Sequence, residues 1–451
     1  MINEQEIIEI LKNVKSRDIT PILAKSLAKK RLDLEEVATL LNADEQESPR
    51  IFKAAKKLKQ EIYGNRLVFF APLYISNLCS NDCLYCGFRS SNKEINRVNL
   101  SQEQIKEDTL NILKQGHKRI LLVSGEAWNK EYFDYILDSI RTIYSVEYQG
   151  ERIRRINVNI APLEASEFKR LKKSDIGTYQ LFQETYHRET YSKMHLRGPK
   201  SNYDKRLDAI DKSFDAGIDD VGVGVLFGLY EYKFEFLALM QHITYLENKY
   251  GIGPHTISVP RMEPAQGSDV SLNPPYSVDD ESFKKIIAIL RLAVPYTGII
   301  LSTREKAEFR NEAINLGVSQ LSAASKTNPG GYSSGDATKQ FDLSDERSLA
   351  EVIKACCDQG YLPSFCTSCY RLGRTGHDFM ECAKDGSIKD ICKLNAILTF
   401  KEYLEDYGTP ELKKDGEILI NKEIGKLTDA EKVITRQKIR KIESGERDVC
   451  L

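Results

Sequence analysis

RLVFFAPLYIS (residues 66–76), running directly into NLCSNDCLYCGF (77–88), decides how the chain is read. The first segment is almost continuously apolar, as a strand buried on both faces of a parallel sheet would be. Seven further short apolar or β-branched runs follow: RILLVSGE (119–126), RINVNIAP (155–162), GTYQLFQET (177–185), DVGVGVLFG (220–228), HTISVPRME (255–263), GIILSTR (298–304) and VSQLSAAS (318–325). Amphipathic helical patterns alternate with them, among them EYFDYILDSIRTIYS (131–145), FEFLALMQHITYLENKY (234–250) and DESFKKIIAILRLAV (280–294). Eight strand–helix repeats are the count of a (β/α)8 barrel, and an open doubly wound sheet usually needs fewer. The expected architecture is a TIM barrel over residues 66–360. An N-terminal helical extension (1–65) precedes it, and a C-terminal, mainly helical appendage (361–451) follows.

The chain has 451 residues and is 41% hydrophobic, enough for one large core. Lys+Arg (65) and Asp+Glu (66) nearly cancel, which gives no electrostatic reason to expect nucleic acid or an anionic membrane as partner. No apolar run approaches the roughly 20 residues needed to cross a bilayer. The N-terminus reads as an amphipathic helix rather than a signal peptide, so a cytoplasmic location is expected.

The 10 cysteines are clustered: Cys79, Cys83 and Cys86, then none until Cys356, Cys357, Cys366, Cys369, Cys382 and Cys392, with Cys450 alone. Clustered thiols in a large chain favour metal or redox chemistry over disulfides. The early trio follows the first strand, so it belongs on the loop at the C-terminal mouth, where barrel enzymes carry their sites. A structural zinc ion needs four closed ligands, and no fourth stands nearby. Three thiolates on one loop instead suit a [4Fe–4S] cluster with one iron open to an outside ligand.

The C-x3-C-x2-C spacing, with Tyr85 just before the last cysteine, resembles the signature of the radical S-adenosylmethionine enzymes. The resemblance implies that the open iron chelates the amino and carboxylate groups of that cofactor. Tyr85 and Phe88 would flank its adenine. SGE (Ser124, Gly125, Glu126) is similar to the family's Gly-Gly-Glu element, with Ser124 in place of one glycine, and would receive the methionine ammonium. GVLFGLYE (224–231) is similar to the family's adenine-side element and includes Leu226. Glu164, Glu184 and Arg206 fall just past strand ends. By resemblance they are candidates for ribose, sulfonium-side and carboxylate contacts, and otherwise they are charges at helix starts.

LSTRE (301–305) closes strand seven. A guanidinium there offers a rigid two-point fork for a carboxylate. The segment resembles the carboxylate-holding element of the family's aromatic amino-acid lyases, which implies that Arg304 and Ser302 anchor a free amino acid. The competing reading pairs Arg304 with Glu305 or Glu308.

SFCTSCYRLGRTGHDFM (364–380) begins a C-x2-C-x22-C pattern of Cys366, Cys369 and Cys392. The helix after strand eight returns the chain to the N-terminal mouth, so the two cysteine groups are expected at opposite ends. His255 opens strand six at that same N-terminal mouth. A zinc site of Cys366, Cys369, Cys382 and Cys392 is the rival reading.

Together these motifs resemble the tyrosine lyases that serve [FeFe]-hydrogenase maturation. The resemblance implies a first reaction in which L-tyrosine is cleaved at Cα–Cβ to p-cresol and dehydroglycine. It implies a second in which dehydroglycine becomes carbon monoxide and cyanide on iron. Cys366, Cys369 and Cys392 would hold an auxiliary [4Fe–4S] cluster, bridged by a free cysteine to a labile fifth iron that His255 also binds. A ferredoxin- or flavodoxin-type reductant and downstream hydrogenase maturation proteins are the implied partners. Strands of about eight residues span about 25 Å, so a fragment must travel through or alongside the barrel, and a channel through it is expected to be lined by small or polar residues. Gly222 and Gly224 are candidates for that lining. Two alternatives stay open: a tyrosine lyase of the thiamine pathway (2-iminoacetate synthase) with a structural C-terminal metal, and a zinc-bearing scaffold without radical chemistry.

Overall fold

A computed structural model describes residues 1–127, 130–333 and 337–451, together with the backbone of the helix that starts at Lys130. All eight anticipated strands form: β1 (Arg66–Ser76), β2 (Arg119–Ser124), β3 (Arg155–Asn159), β4 (Tyr179–Gln180), β5 (Val221–Gly224), β6 (Thr256–Ser258), β7 (Gly298–Leu301) and β8 (Gln320–Ser322). Each pairs in parallel with the next, and β8 closes on β1 through Val68–Gln320, Phe69–Leu321 and Phe70–Ser322. The sheet is a closed barrel.

Most strands are shorter than the apolar runs that predict them, and local chemistry accounts for it. Beyond β4 the chain still follows β5, with the Leu181 amide donating to the Gly222 carbonyl and the Leu226 amide to that of Glu184. The pairing lapses after Leu181 and resumes at Glu184, which bridges in parallel to Val225 from a left-handed φ of +71°. After β6, Pro260 has no amide hydrogen to donate.

The N-terminal extension forms the helices Glu4–Asn13, Thr20–Leu27, Leu34–Leu41 and Ser48–Tyr63. Asp33 caps the third in a reciprocal capping box with Glu36. One continuous apolar cluster runs from Ile7 through the outer faces of the barrel strands to Leu427. The barrel lumen is different: Asn157, Asn159, Gln180, Thr256, Ser258, Gln320 and Ser322 are polar where a barrel ordinarily stacks Val, Ile and Leu.

The C-terminal part is more than an appendage. Leu362–Ser364 forms a ninth strand, β9, paired in parallel with Arg66–Val68 at the start of β1. The helix Ile388–Tyr407 is buried along most of its length against β9 and β1. Among the described residues, no helix is long and apolar enough to cross a membrane.

Candidate active site at two mouths of one barrel

Thirteen of the residues singled out by sequence line a single cavity of about 190 Å³ at the C-terminal mouth: Cys79, Cys83, Cys86, Tyr85, Phe88, Ser124, Gly125, Glu126, Glu184, Arg206, Leu226, Ser302 and Arg304. Burial pushes the Cys79 thiol up to about 11, and raises Cys83 and Cys86 as well. Burial thus favours the protonated thiols, and a bound metal would displace those protons. Gly125 is sterically required: a Cβ there would lie 2.4 Å from the Leu78 carbonyl oxygen on the cysteine loop.

Electrostatics organise the wall opposite the thiols. Arg206 Nη1 donates to Glu126 at 3.0 Å, Asn81 Nδ2 to the other Glu126 oxygen at 2.8 Å, and Lys200 Nζ to Glu184 at 2.7 Å. Burial alone would raise the Glu126 carboxyl, but Arg206 and Lys200 outweigh it and hold it below the usual range. Tyr85 is fixed by a 2.8 Å bond between its hydroxyl and His195 Nε2, and Phe88 packs edge-on against Tyr74. Ser325 Oγ faces the same cavity, buried without a protein partner. Glu164 lies elsewhere, exposed at the start of the helix Ala165–Lys172 and paired with Lys205 and Lys212 at 2.8 and 3.1 Å.

The competing reading of Arg304 is not what forms. Glu305 is taken by Arg261, while Arg304 stacks its guanidinium 3.4 Å from the Phe341 ring centre and faces the cavity with no carboxylate partner among the described residues. Glu263 lines the cavity too, its carboxyl raised to about 7 by burial and by Glu305.

Cys366, Cys369, Cys392 and His255 line a second cavity at the N-terminal mouth, with Arg66, Arg119 and Tyr370. The thiol groups do occupy opposite ends. Cys382 does not line this cavity, so the four-thiol zinc reading lacks its fourth ligand. Among the described residues no three His, Cys, Asp or Glu side chains converge as the ligands of a single ion do. A shared hydrogen bond holds the Cys369 thiol down and pushes that of Cys392 up. Arg66 Nε, His255 Nδ1 and Thr367 Oγ1 are buried there without hydrogen-bond partners. His255 Nδ1 lies 3.6 Å from Asp220 and its ring packs on Phe379.

The two cavities nearly meet. Val68 lines the lower and Phe70 the upper; Gly298 and Ile300 divide likewise. Neither Gly222 nor Gly224 lines either cavity. A Cβ on Gly222 would meet Thr256 Oγ1 and Gln180, and one on Gly224 would meet Phe182, so these glycines make room for larger neighbours.

Residues 73–243 match the Radical SAM superfamily and residues 258–362 the Biotin and Thiamin Synthesis associated domain. The chain is 33% identical over 316 residues to 2-iminoacetate synthase of Escherichia coli (strain K12), covering 70% of this chain and 81% of that one. It belongs to the radical SAM superfamily. Family membership brings S-adenosylmethionine and a [4Fe–4S] cluster, for which the early trio and the Gly125–Glu126 wall are the fitting residues. Two solved structures resemble the whole chain. One is HydG, a maturase of the [FeFe]-hydrogenase, at 48% identity and TM-score 0.96, covering 100% of this chain and 99% of that one. The other is HydG from Carboxydothermus hydrogenoformans, at 44% identity and TM-score 0.86, covering 98% and 97%.

Asn81 and Lys200 escaped the sequence reading. Asn81 stands inside the cysteine loop, where its spacing could have marked it. Lys200 sits in HLRGPKSNYDKR (195–206), indistinguishable from an ordinary basic helix start.

Proposed function

We propose that this radical SAM enzyme is a carbon–carbon lyase that cleaves L-tyrosine at Cα–Cβ to p-cresol and dehydroglycine, and converts the latter to carbon monoxide and cyanide on iron for assembly of the [FeFe]-hydrogenase H-cluster. The single observation that carries the reading is two three-thiol cavities at opposite mouths of one barrel, one inward step apart, in a chain alike to HydG from end to end.

At the upper mouth, Cys79, Cys83 and Cys86 would hold the cluster, with Glu126, Glu184 and Arg206 as candidate contacts of S-adenosylmethionine. Bound there, the cofactor supplies a 5′-deoxyadenosyl radical. Arg304, lacking a carboxylate of its own, would grip that of tyrosine in two-point fashion, and Ser302 beside it would fix the orientation. Phe341 stacked on the guanidinium holds it in place and keeps water from the pair.

At the lower mouth, Cys366, Cys369 and Cys392 would hold a second [4Fe–4S] cluster. Burial lowers the His255 pKa and outweighs Asp220, which lies 3.6 Å from Nδ1 and raises it; a ring kept neutral in this way would bind a labile iron, the cargo of the second reaction.

Infrared spectroscopy of a turnover with tyrosine, cofactor and reductant tests the reading: iron-bound carbonyl and cyanide bands are expected beside p-cresol. Anaerobic reconstitution should yield about eight to nine irons per chain. About four irons and one zinc, with p-cresol but no bands, would instead support a 2-iminoacetate synthase with a structural C-terminal metal, the reading favoured by the likeness to the Escherichia coli enzyme.

A further inference from the structure

Beneath the second thiol cavity lies another, of about 220 Å³, many times the roughly 10–15 Å³ that one water requires. The two share Tyr63 and Arg66 as a common wall. Their chemistry differs. The thiol cavity carries arginines and, among the described residues, no carboxylate, whereas the outer one carries both signs, lined by Arg66, Lys389, Lys393, Lys426, Asp390 and Glu423.

Two of those cations are already committed. Lys393 and Lys426 both lean on Glu423, at 3.8 and 2.5 Å. Lys389 and Arg66 pair with no carboxylate among the described residues. Arg66 is the more telling. Its Nε is buried without any hydrogen-bond partner, its guanidinium carbon rests 5.8 Å from the Tyr63 ring centre, and the three late thiols are its principal electrostatic neighbours. A buried N–H donor left unmatched costs free energy unless something visits to match it. The helix Ile388–Tyr407 links the compartments, since Lys389 and Lys393 line the outer cavity while Cys392 lines the inner one.

The charge pattern has two signs, with Arg66 and Lys389 free for an anion and Asp390, exposed at the rim, available to a cation. That is the complement of a zwitterion. We propose that this cavity is the entry and docking site through which a small free α-amino acid reaches the second metal centre, its carboxylate received by Lys389 and then held by Arg66. Arg66 is thus a ligand-binding residue at the boundary, and Lys389 an outer recruiting charge. The proposal rests on the reading of the late thiols as a second cluster.

The test uses cluster-reconstituted full-length enzyme and the electron paramagnetic resonance signal of the reduced second cluster, titrated with L-cysteine and with cysteamine, which lacks the carboxylate. In the wild-type chain L-cysteine is expected to perturb the signal at concentrations about tenfold or more below cysteamine, the size of one charge-assisted contact. Arg66→Gln should bring the two within about threefold of one another, leaving less than half a charge-assisted contact of difference. Lys389→Gln, a half-buried surface change without risk to the fold, should weaken L-cysteine and reduce the salt dependence of its titration. Discrimination retained in Arg66→Gln would overturn the inference and leave Arg66 as a counter-ion of the cluster. No response to either compound in the wild type would overturn the second-cluster reading itself.

Discussion

Gln320 and Ser322 are consecutive inward-facing residues of β8, yet Gln320 lines the cavity of the late thiols and Ser322 that of the early ones. Two residues along a strand span about 7 Å. The separation between the compartments is therefore much smaller than the 25 Å height of the barrel suggests. One layer of side chains divides them, with Gln320 and Ser322 on one strand beside Val68, Phe70, Gly298 and Ile300 on its neighbours.

Gly298 lies in that layer and leaves space there that a side chain would take. Its missing Cβ would lie 2.9 Å from Gln320 Nε2 and 3.2 Å from the His255 carbonyl oxygen. Gly298→Val should plug the step at a stability cost of about 1–3 kcal/mol for overpacking. Release of p-cresol, measured by chromatography, is expected to continue while the iron-bound carbonyl and cyanide bands fall to a small fraction. Equal loss of both would show that the fragment takes another way.

The barrel was legible in the sequence because its strands are buried on both faces and so appear as unbroken apolar runs. What was not legible is where those runs stop. Glu184 adopts a left-handed backbone that no periodicity announces, and regular pairing in β4 spans only Tyr179–Gln180 before a single bridge resumes at Glu184. Glu164 and Glu184 look alike as acids past a strand end; only the fold turns one to Lys205 and the other to Lys200. The grouping of His255 with Cys366, Cys369 and Cys392 followed from chain direction alone. The strand Leu362–Ser364 did not, because three residues are too few to carry a pattern.

Arg304 offers the cleanest test of the first reaction. Removing an unshared guanidinium that meets a substrate carboxylate should lower kcat/KM for tyrosine about ten- to a hundredfold in Arg304→Gln. Arg304→Lys should recover little, because a point charge cannot reproduce the fork. Full activity in Arg304→Lys would mean that the site needs only a positive charge.

His255 should matter to one metal and not to the others. His255→Ala removes the nitrogen that faces the late thiols but no cysteine, so metal analysis is expected to show about one iron fewer per chain with both cluster signals intact. Loss of the second cluster's signal together with that iron would make His255 a structural support instead. Asp220 bears on the same point: Asp220→Asn should weaken iron retention without abolishing it, as changes to a metal ligand's partner do.

Stability at acid pH should depend on Asp345, which ties Arg310 and Arg347 beneath β8. Burial would raise its carboxyl, but hydrogen bonds from Arg347 and the charge of Arg310 outweigh this and hold it below the usual range. A carboxyl depressed by folding contributes stability that is complete above its unfolded value of about 3.9 and fades as pH falls through the folded one. Asp345→Asn leaves the Arg310 charge, 2% exposed, without a counter-charge and should cost about 3–5 kcal/mol in denaturant unfolding at neutral pH. The difference from wild type should shrink as pH drops below about 4, where the unfolded chain's carboxyl takes up a proton before the native one, and close once the lower-lying native carboxyl protonates as well. A gap that stays constant down to pH 2 would assign the loss to packing rather than to charge.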